Sequence, residues 1–214
     1  MRRNRQVTGK RDIMLRARIA VLVSGGGTNL QALIDAQKSG ILKSGEICVV
    51  IASNPNAYAI ERAKKNFIPF ETVQKKQFGN QAEFEEKINS VIREYKADII
   101  VLAGFMCILS ENFTKLYPKR IINIHPSLIP SFCGKGFYGL KVHEAALDYG
   151  VKVTGATVHF VNEIPDGGEI IMQKAVEVHD GDTPEILQKR VMENAEWKIL
   201  PLAVEKVAAQ ISGQ

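Results

Sequence analysis

Apolar and polar positions follow two rhythms along the chain, and the two take turns. Residues 18–23 form an apolar run, Ile19-Ala20-Val21-Leu22-Val23 after Arg18, that stops at Ser24-Gly25-Gly26-Gly27. A run of this kind fits a parallel strand covered on both faces. Residues 28–38 then carry Leu30, Leu33 and Ile34 at helical spacing and close at Gly40. Strands are expected again at 46–52, 69–73, 98–103 and 120–124. Helices are expected at 56–66, 81–95 and 112–117, the second with Phe84, Ile88, Val91 and Ile92 on one face. Strand and helix in alternation predict an α/β fold, a doubly wound, mostly parallel Rossmann-like sheet.

After His125-Pro126 the rhythm changes. A helix is expected at 142–149. Two strands, 152–161 and 169–178, follow with no helix between them, which predicts an antiparallel C-terminal hairpin added to the sheet. The first of these alternates, with Val153, Gly155, Thr157 and His159 set against Thr154, Ala156, Val158 and Phe160. Thr183 caps a last helix with Pro184 at its first position, running toward residue 210 with a break expected at Pro201. No internal repeat or low-complexity linker interrupts the pattern. One domain over 17–210 is therefore expected.

Composition narrows the class. Of 214 residues, 45% are apolar and 24% charged, which excludes disorder as the main state. No apolar run approaches the ~18 residues that cross a bilayer. The net charge of +5 suggests a nucleic-acid or membrane partner, until its location is considered. Residues 1–18 carry seven bases and one acid, so the remaining 196 sum to −1. The excess belongs to a basic N-terminal extension, 1–16, expected to be disordered. It lacks the apolar segment of a secretory signal, and Met14 stands as a second candidate start. Targeting and a nucleic-acid arm are the other readings of this extension. Three cysteines, Cys48, Cys107 and Cys133, form no CxxC and fit a reducing, cytoplasmic setting. The four histidines form no HxxxH or HExxH pair, so no metal is expected.

Three features can carry chemistry. Ser24-Gly25-Gly26-Gly27-Thr28-Asn29 is a glycine-rich turn feeding a helix N-terminus, where backbone N–H groups and the helix dipole meet an anion. Leu30 stands where the dinucleotide fingerprint needs glycine, and no Gly-Lys-Ser/Thr follows, so a small phosphate fits better than a dinucleotide. A plain βα turn is the alternative. Asn123-Ile124-His125-Pro126-Ser127 ends a parallel strand. Residues two apart share a face, so Asn123 and His125 are expected to point together into the crevice where such sheets bind ligands. An amide donor beside an imidazole suits an acyl or formyl group. A structural histidine is the alternative. Pro165-Asp166-Gly167-Gly168 fits an ordinary hairpin turn. It also fits a carboxylate set against His125 to raise its pKa and fix its tautomer. His159, on the strand leading there, is a further candidate for lining the site or for simple packing. The apolar segment 105–109 is either core or the wall of a pocket for a flat ring. Glu196 reads as a solvated helix position.

Together, several segments resemble one family closely. They are Val21-Leu22-Val23-Ser24-Gly25-Gly26-Gly27-Thr28-Asn29-Leu30-Gln31, Leu102-Ala103-Gly104-Phe105-Met106 and Ile122-Asn123-Ile124-His125-Pro126-Ser127-Leu128. Thr157-Val158-His159-Phe160-Val161, Asp166-Gly167-Gly168 and Glu196 five residues before Pro201 complete the set. The family is the folate-dependent phosphoribosylglycinamide formyltransferases of purine biosynthesis. The resemblance covers about 17–205, although the Asn-Ile-His-Pro-Ser-Leu element is shared with other formyl-folate enzymes.

The resemblance implies formyl transfer from 10-formyltetrahydrofolate to the amino group of 5'-phosphoribosylglycinamide (GAR), without a metal. It implies Asn123, His125 and Asp166 as the catalytic trio, with His125 carrying protons, Asp166 raising its pKa and positioning a water, and Asn123 binding the formyl oxygen. Gly27, Thr28, Asn29 and Glu196 correspond to GAR contacts. Gln81, Met106, Cys107, Ile108 and Leu109, with Asn123, Asp166 and backbone near 162–166, correspond to the folate side. Cys107 and Gln81 each stand where the family usually carries arginine. The loop 131–139 is longer than in the shorter members, and mobility is expected there. The resemblance implies a monomer or a homodimer, with no nucleic-acid or membrane partner. Methionyl-tRNA formyltransferase and formyltetrahydrofolate deformylase are the near alternatives, for whose extra domains the length leaves no room. A non-catalytic phosphate- or nucleotide-binding module is the alternative of another class, and it leaves Asn123, His125 and Asp166 without a use.

Overall fold

The structure, a computed structural model, describes residues 16–213. The extension expected over 1–16 lies, apart from Arg16, outside the described residues. Seven strands are seen among them: β1 (Ala17–Val23), β2 (Gly45–Ala52), β3 (Phe70–Thr72), β4 (Ile99–Leu102), β5 (Ile121–His125), β6 (Val153–Phe160) and β7 (Ile170–Glu177). They form one sheet in the order β3-β2-β1-β4-β5-β6-β7. The first five run parallel, β6 runs antiparallel to β5, and β7 antiparallel to β6. The doubly wound sheet with an antiparallel C-terminal addition is thus present. The two late strands are joined by a long segment rather than a two-residue turn, and a register shift falls between Val158 and His159.

The helices are α1 (Thr28–Ser39), α2 (Tyr58–Lys65), α3 (Gln81–Glu94), α4 (Glu111–Leu116), α5 (Leu140–Tyr149), α6 (Pro184–Val191) and α7 (Trp197–Ser212). One face of the sheet is covered by α1, α2, α6 and α7, through Leu30, Leu33, Ala59, Leu187, Leu200 and Val204. The other is covered by α3 and α4, through Phe84, Ile88, Val91 and Phe113. This double cover explains the unbroken apolar run of β1. Its alternate residues enter opposite cores, Ile19, Val21 and Val23 one way and Ala20 and Leu22 the other. Each large apolar side chain so buried stabilises the fold by ~1.5–3 kcal/mol.

The alternation along β6 does not separate a wet face from a dry one, because Thr154 to His159 are all buried. Ala156 and Val158 enter the helix-covered core. The opposite face is roofed by the loops around Asp166 and 127–134, through contacts of Thr157 and His159. The expected break at Pro201 is displaced. Pro201 lies buried inside α7, and the irregularity is a five-residue π-helical turn, Met192–Glu196, upstream of it. A proline lacks its N–H and crowds the carbonyl four residues back, so the helical ladder is disturbed N-terminal to the ring rather than at it.

Strand order reverses between β1 and β4, whose successors run to opposite edges. The loops leaving these two strands diverge and open a crevice at their carboxyl ends. Ser24 N–H donates to the Gly104 carbonyl at 3.1 Å across its floor.

Candidate active site

A cavity of about 720 Å³ occupies this crevice, and a smaller one of about 130 Å³ adjoins it. Phe105, Cys107, Ile108, Asn123, Pro165 and Asp166 line both. β5 delivers Asn123 and His125 to the same side, as residues two apart on a strand must. Directly opposite Asn123 in the antiparallel ladder stands His159. The His159 ring is 1% exposed and donates Nδ1–H to the Phe160 carbonyl at 2.8 Å. Nε2 is left as an acceptor and takes the Asn123 amide N–H at 3.2 Å. The amide is thereby aimed, with its second N–H uncommitted.

Asp166 reaches this group from a turn. Ile164 C=O accepts from Gly167 N–H at 2.9 Å, with Pro165 second and Asp166 third in the turn. Asp166 takes φ +56°, a left-handed conformation that aspartate tolerates better than most residues. Its Oδ2 lies 3.6 Å from His125 Nδ1, and its Oδ1 lies 3.6 Å from His159 Nε2. The turn is therefore more than a hairpin connection, since it inserts a carboxylate between two imidazoles.

The loop 131–139 closes the constellation with its backbone. His125 Nε2–H donates to the Phe132 carbonyl at 2.8 Å, which leaves Nδ1 facing Asp166 in the neutral ring. Gly134 N–H donates to Asp166 Oδ2 at 2.8 Å. Burial, at 4% exposure, drives the His125 pKa below the ordinary histidine value. Asp166 and the Phe132 carbonyl oppose that shift, and His159 adds to it. Asp166 pulls this pKa upward, as expected, but desolvation outweighs it and the net shift is downward. Burial pushes the Asp166 carboxyl upward, yet the His159 and His125 rings, when protonated, and the Gly134 N–H hold it below the usual range.

Asn29 and Glu196 also line the large cavity, and Asn29 Nδ2–H donates to Glu196 Oε2 at 2.7 Å. Glu196 is buried rather than solvated, and burial pushes its pKa up against the Asn29 hydrogen bond. The π turn explains the difference, because an extra residue per turn rotates the side chain that follows it. Asn29 Oδ1 is buried without a partner, a free acceptor beside the cavity. Gly27 and Thr28 precede Asn29 at the start of α1 and do not line the cavity. The Thr28 hydroxyl instead contacts the Met192 sulfur at 3.9 Å.

Met106, Cys107 and Ile108 line the large cavity, and Leu109 and His159 the small one. Met106 and Ile108 are exposed apolar side chains, as a ring-binding wall requires. Gln81 does not line either cavity. It stands behind the wall and donates to the Ile108 carbonyl at 3.0 Å. Burial pushes the Cys107 thiol up, against Ser53 and Lys75. Sequence reasoning missed the Phe132 carbonyl and the Gly134 N–H, because backbone groups leave no trace in residue type. It also missed His143, fully buried and lining the cavity from α5, which has no motif around it. Among the described residues no cluster of three or more His, Cys, Asp or Glu side chains is arranged to hold a metal ion.

A family model described as formyl transferase matches residues 17–204. The phosphoribosylglycinamide formyltransferase of Haemophilus influenzae is 40% identical over 188 residues, covering 88% of this chain and 85% of that one. The trifunctional purine biosynthetic protein adenosine-3 of Bos taurus is 45% identical over 194 residues, but the chain spans only 18% of its length. Among solved structures, glycinamide ribonucleotide transformylase 1 from Symbiobacterium toebii superposes with a TM-score of 0.85 at 38% identity, over 91% of this chain and 89% of that one.

Proposed function

Since the chain belongs to the formyl transferase family, we propose that it transfers the formyl group of 10-formyltetrahydrofolate to the amino group of GAR. The products are formyl-GAR and tetrahydrofolate. The observation that carries the reading is the convergence of Asn123, His125 and Asp166 on one cavity that Asn29 and Glu196 also line. The trio offers proton transfer and an oxyanion donor, and Asn29 with Glu196 offers polar groups for a sugar or amine.

In this reading the free amide N–H of Asn123 donates to the formyl oxygen as negative charge builds there. The donor is pre-aimed by His159, so little reorganisation accompanies the reaction. The GAR amine forms a bond to the formyl carbon, and the bond from that carbon to folate N10 breaks. His125 takes up the amine proton at Nδ1 and returns it to N10, while Asp166 stabilises the charged ring. A pKa held below the ordinary value keeps His125 largely neutral at neutral pH and ready to accept. The open N–H groups at residues 27–29 suit the GAR phosphate, and Met106 and Ile108 suit the flat pterin ring.

The same reading carries a cytoplasmic location, supported by three unpaired cysteines, and a monomer or homodimer acting on small molecules without nucleic acid. No described helix is long and apolar enough to cross a membrane. The test is an assay of 10-formyltetrahydrofolate consumption with and without GAR. GAR-dependent formation of tetrahydrofolate is expected. Consumption independent of GAR points to a deformylase, and none with GAR points to a binding module.

A further inference from the structure

The wall formed by 106–109 is an irregular segment, and its backbone is held from two sides. On one side Met106 N–H donates to Ser24 Oγ at 2.9 Å, and that hydroxyl bonds Ser53 at 2.6 Å. On the other side stands Glu85, a carboxyl group from α3 that is only 6% exposed and takes no part in the chemistry above. Glu85 Oε1 accepts from Ser110 N–H at 2.6 Å and from Gln81 Nε2–H at 2.6 Å. Glu85 Oε2 accepts from the Ser110 hydroxyl at 2.5 Å. Gln81 spends its second amide hydrogen on the Ile108 carbonyl. Ser110 in turn caps α4, accepting from Phe113 N–H at 3.2 Å. One buried acid thus joins α3, the wall and the start of α4, and leaves Met106 and Ile108 facing the cavity.

We propose that Glu85 is a positioning residue for the folate side of the site: with Gln81 and Ser110 it sets the backbone of 106–109, and through it the binding of the reduced pterin ring. The proposal rests on the formyl-folate reading. A buried acceptor holding three donors is costly to disturb, because each donor left unpaired loses its water as well. Gln81 acts in this arrangement by shape and hydrogen bonding, which an amide performs without a cation.

The test compares Glu85→Gln with the unaltered protein. The new amide nitrogen cannot accept, so at least one of the three accepted hydrogen bonds is lost or reversed while side-chain size is kept. The expected result is a rise on the order of tenfold in KM for 10-formyltetrahydrofolate and in Kd for tetrahydrofolate by calorimetry. KM for GAR and kcat stay within about threefold, and Glu85→Asp recovers part of the loss. Gln81→Ala, at a half-buried side chain, provides the same comparison should Glu85→Gln fail to fold, with a smaller rise in the same two constants. If both variants fold and bind tetrahydrofolate as the unaltered protein does, or if all three kinetic constants change together, the proposal falls. If the unaltered protein itself binds no tetrahydrofolate, the functional reading falls and takes the proposal with it.

Discussion

His143 offers a stability measurement with a sign and a size. It is fully buried on α5, and neither ring nitrogen has a hydrogen-bond partner. Burial, with a smaller contribution from His125, pushes its pKa down to about 4 from 6.5. The unfolded chain therefore binds a proton at higher pH than the folded one. Between these values stability rises with pH, and it is lost as pH falls below the unfolded value. The loss is ~1.4 kcal/mol per pH unit, so at pH 4.5 this one group costs about 2–3 kcal/mol relative to pH 7.5. Asp182 works in the same direction but in a lower window. The Arg190 hydrogen bond lowers it to about 2, so its contribution is present above the ordinary aspartate value and disappears only in stronger acid. His125 shifts in the same direction as His143 but is common to both proteins in the comparison. His143→Leu removes the titrating ring and keeps an apolar filling. Urea unfolding of both proteins at pH 7.5 and pH 4.5 is the assay. The variant is expected to lose about 2–3 kcal/mol less on acidification. Equal losses in the two proteins would refute the burial argument for His143.

Three further outcomes are expected. Asn123→Ala removes the aimed amide and lowers kcat on the order of 10²–10³ with the fold intact, and near-normal steady-state turnover would contradict its role. Asp166→Asn removes the group that pulls the His125 pKa up, so that pKa falls further below the ordinary value. An NMR titration of the His125 ring reads this directly, and an upward shift would overturn the electrostatic account. Gly27 takes φ +70°, and a Cβ there would meet the Ala59 Cβ at 2.7 Å. Gly27→Ala is therefore expected to destabilise by ~1–3 kcal/mol, read as a lower melting temperature.

The strands and helices were legible because burial on both faces leaves an unbroken apolar signature in β1, β2 and β4, and burial on one face leaves a helical stripe in α3. Asn123 and His125 were legible as a pair for a local reason, the twofold repeat of a strand. Asp166 was legible from its own segment as a turn residue, with a carboxylate set against His125 as the second reading. Nothing in Pro-Asp-Gly-Gly states that the turn faces β5, since that depends on the register of β6 and on the segment that follows it. Periodicity alone leaves Glu196 on a solvated face, because it places a residue only while the period stays regular, and the π turn changes it. The loop 131–139 was noticed for its length, but its contribution is a carbonyl and an N–H, which any residue type provides.

By itself the sequence determined the fold class, the order of its elements and the residue types available at the ends of β1 and β5, because these depend on local periodicity and backbone sterics. Tertiary structure alone decided the protonation chemistry. The pKa of His125 is a balance between burial, an aspartate 41 residues away in the chain and a carbonyl from a neighbouring loop. Such a balance depends on distance and desolvation, and chain order encodes neither directly.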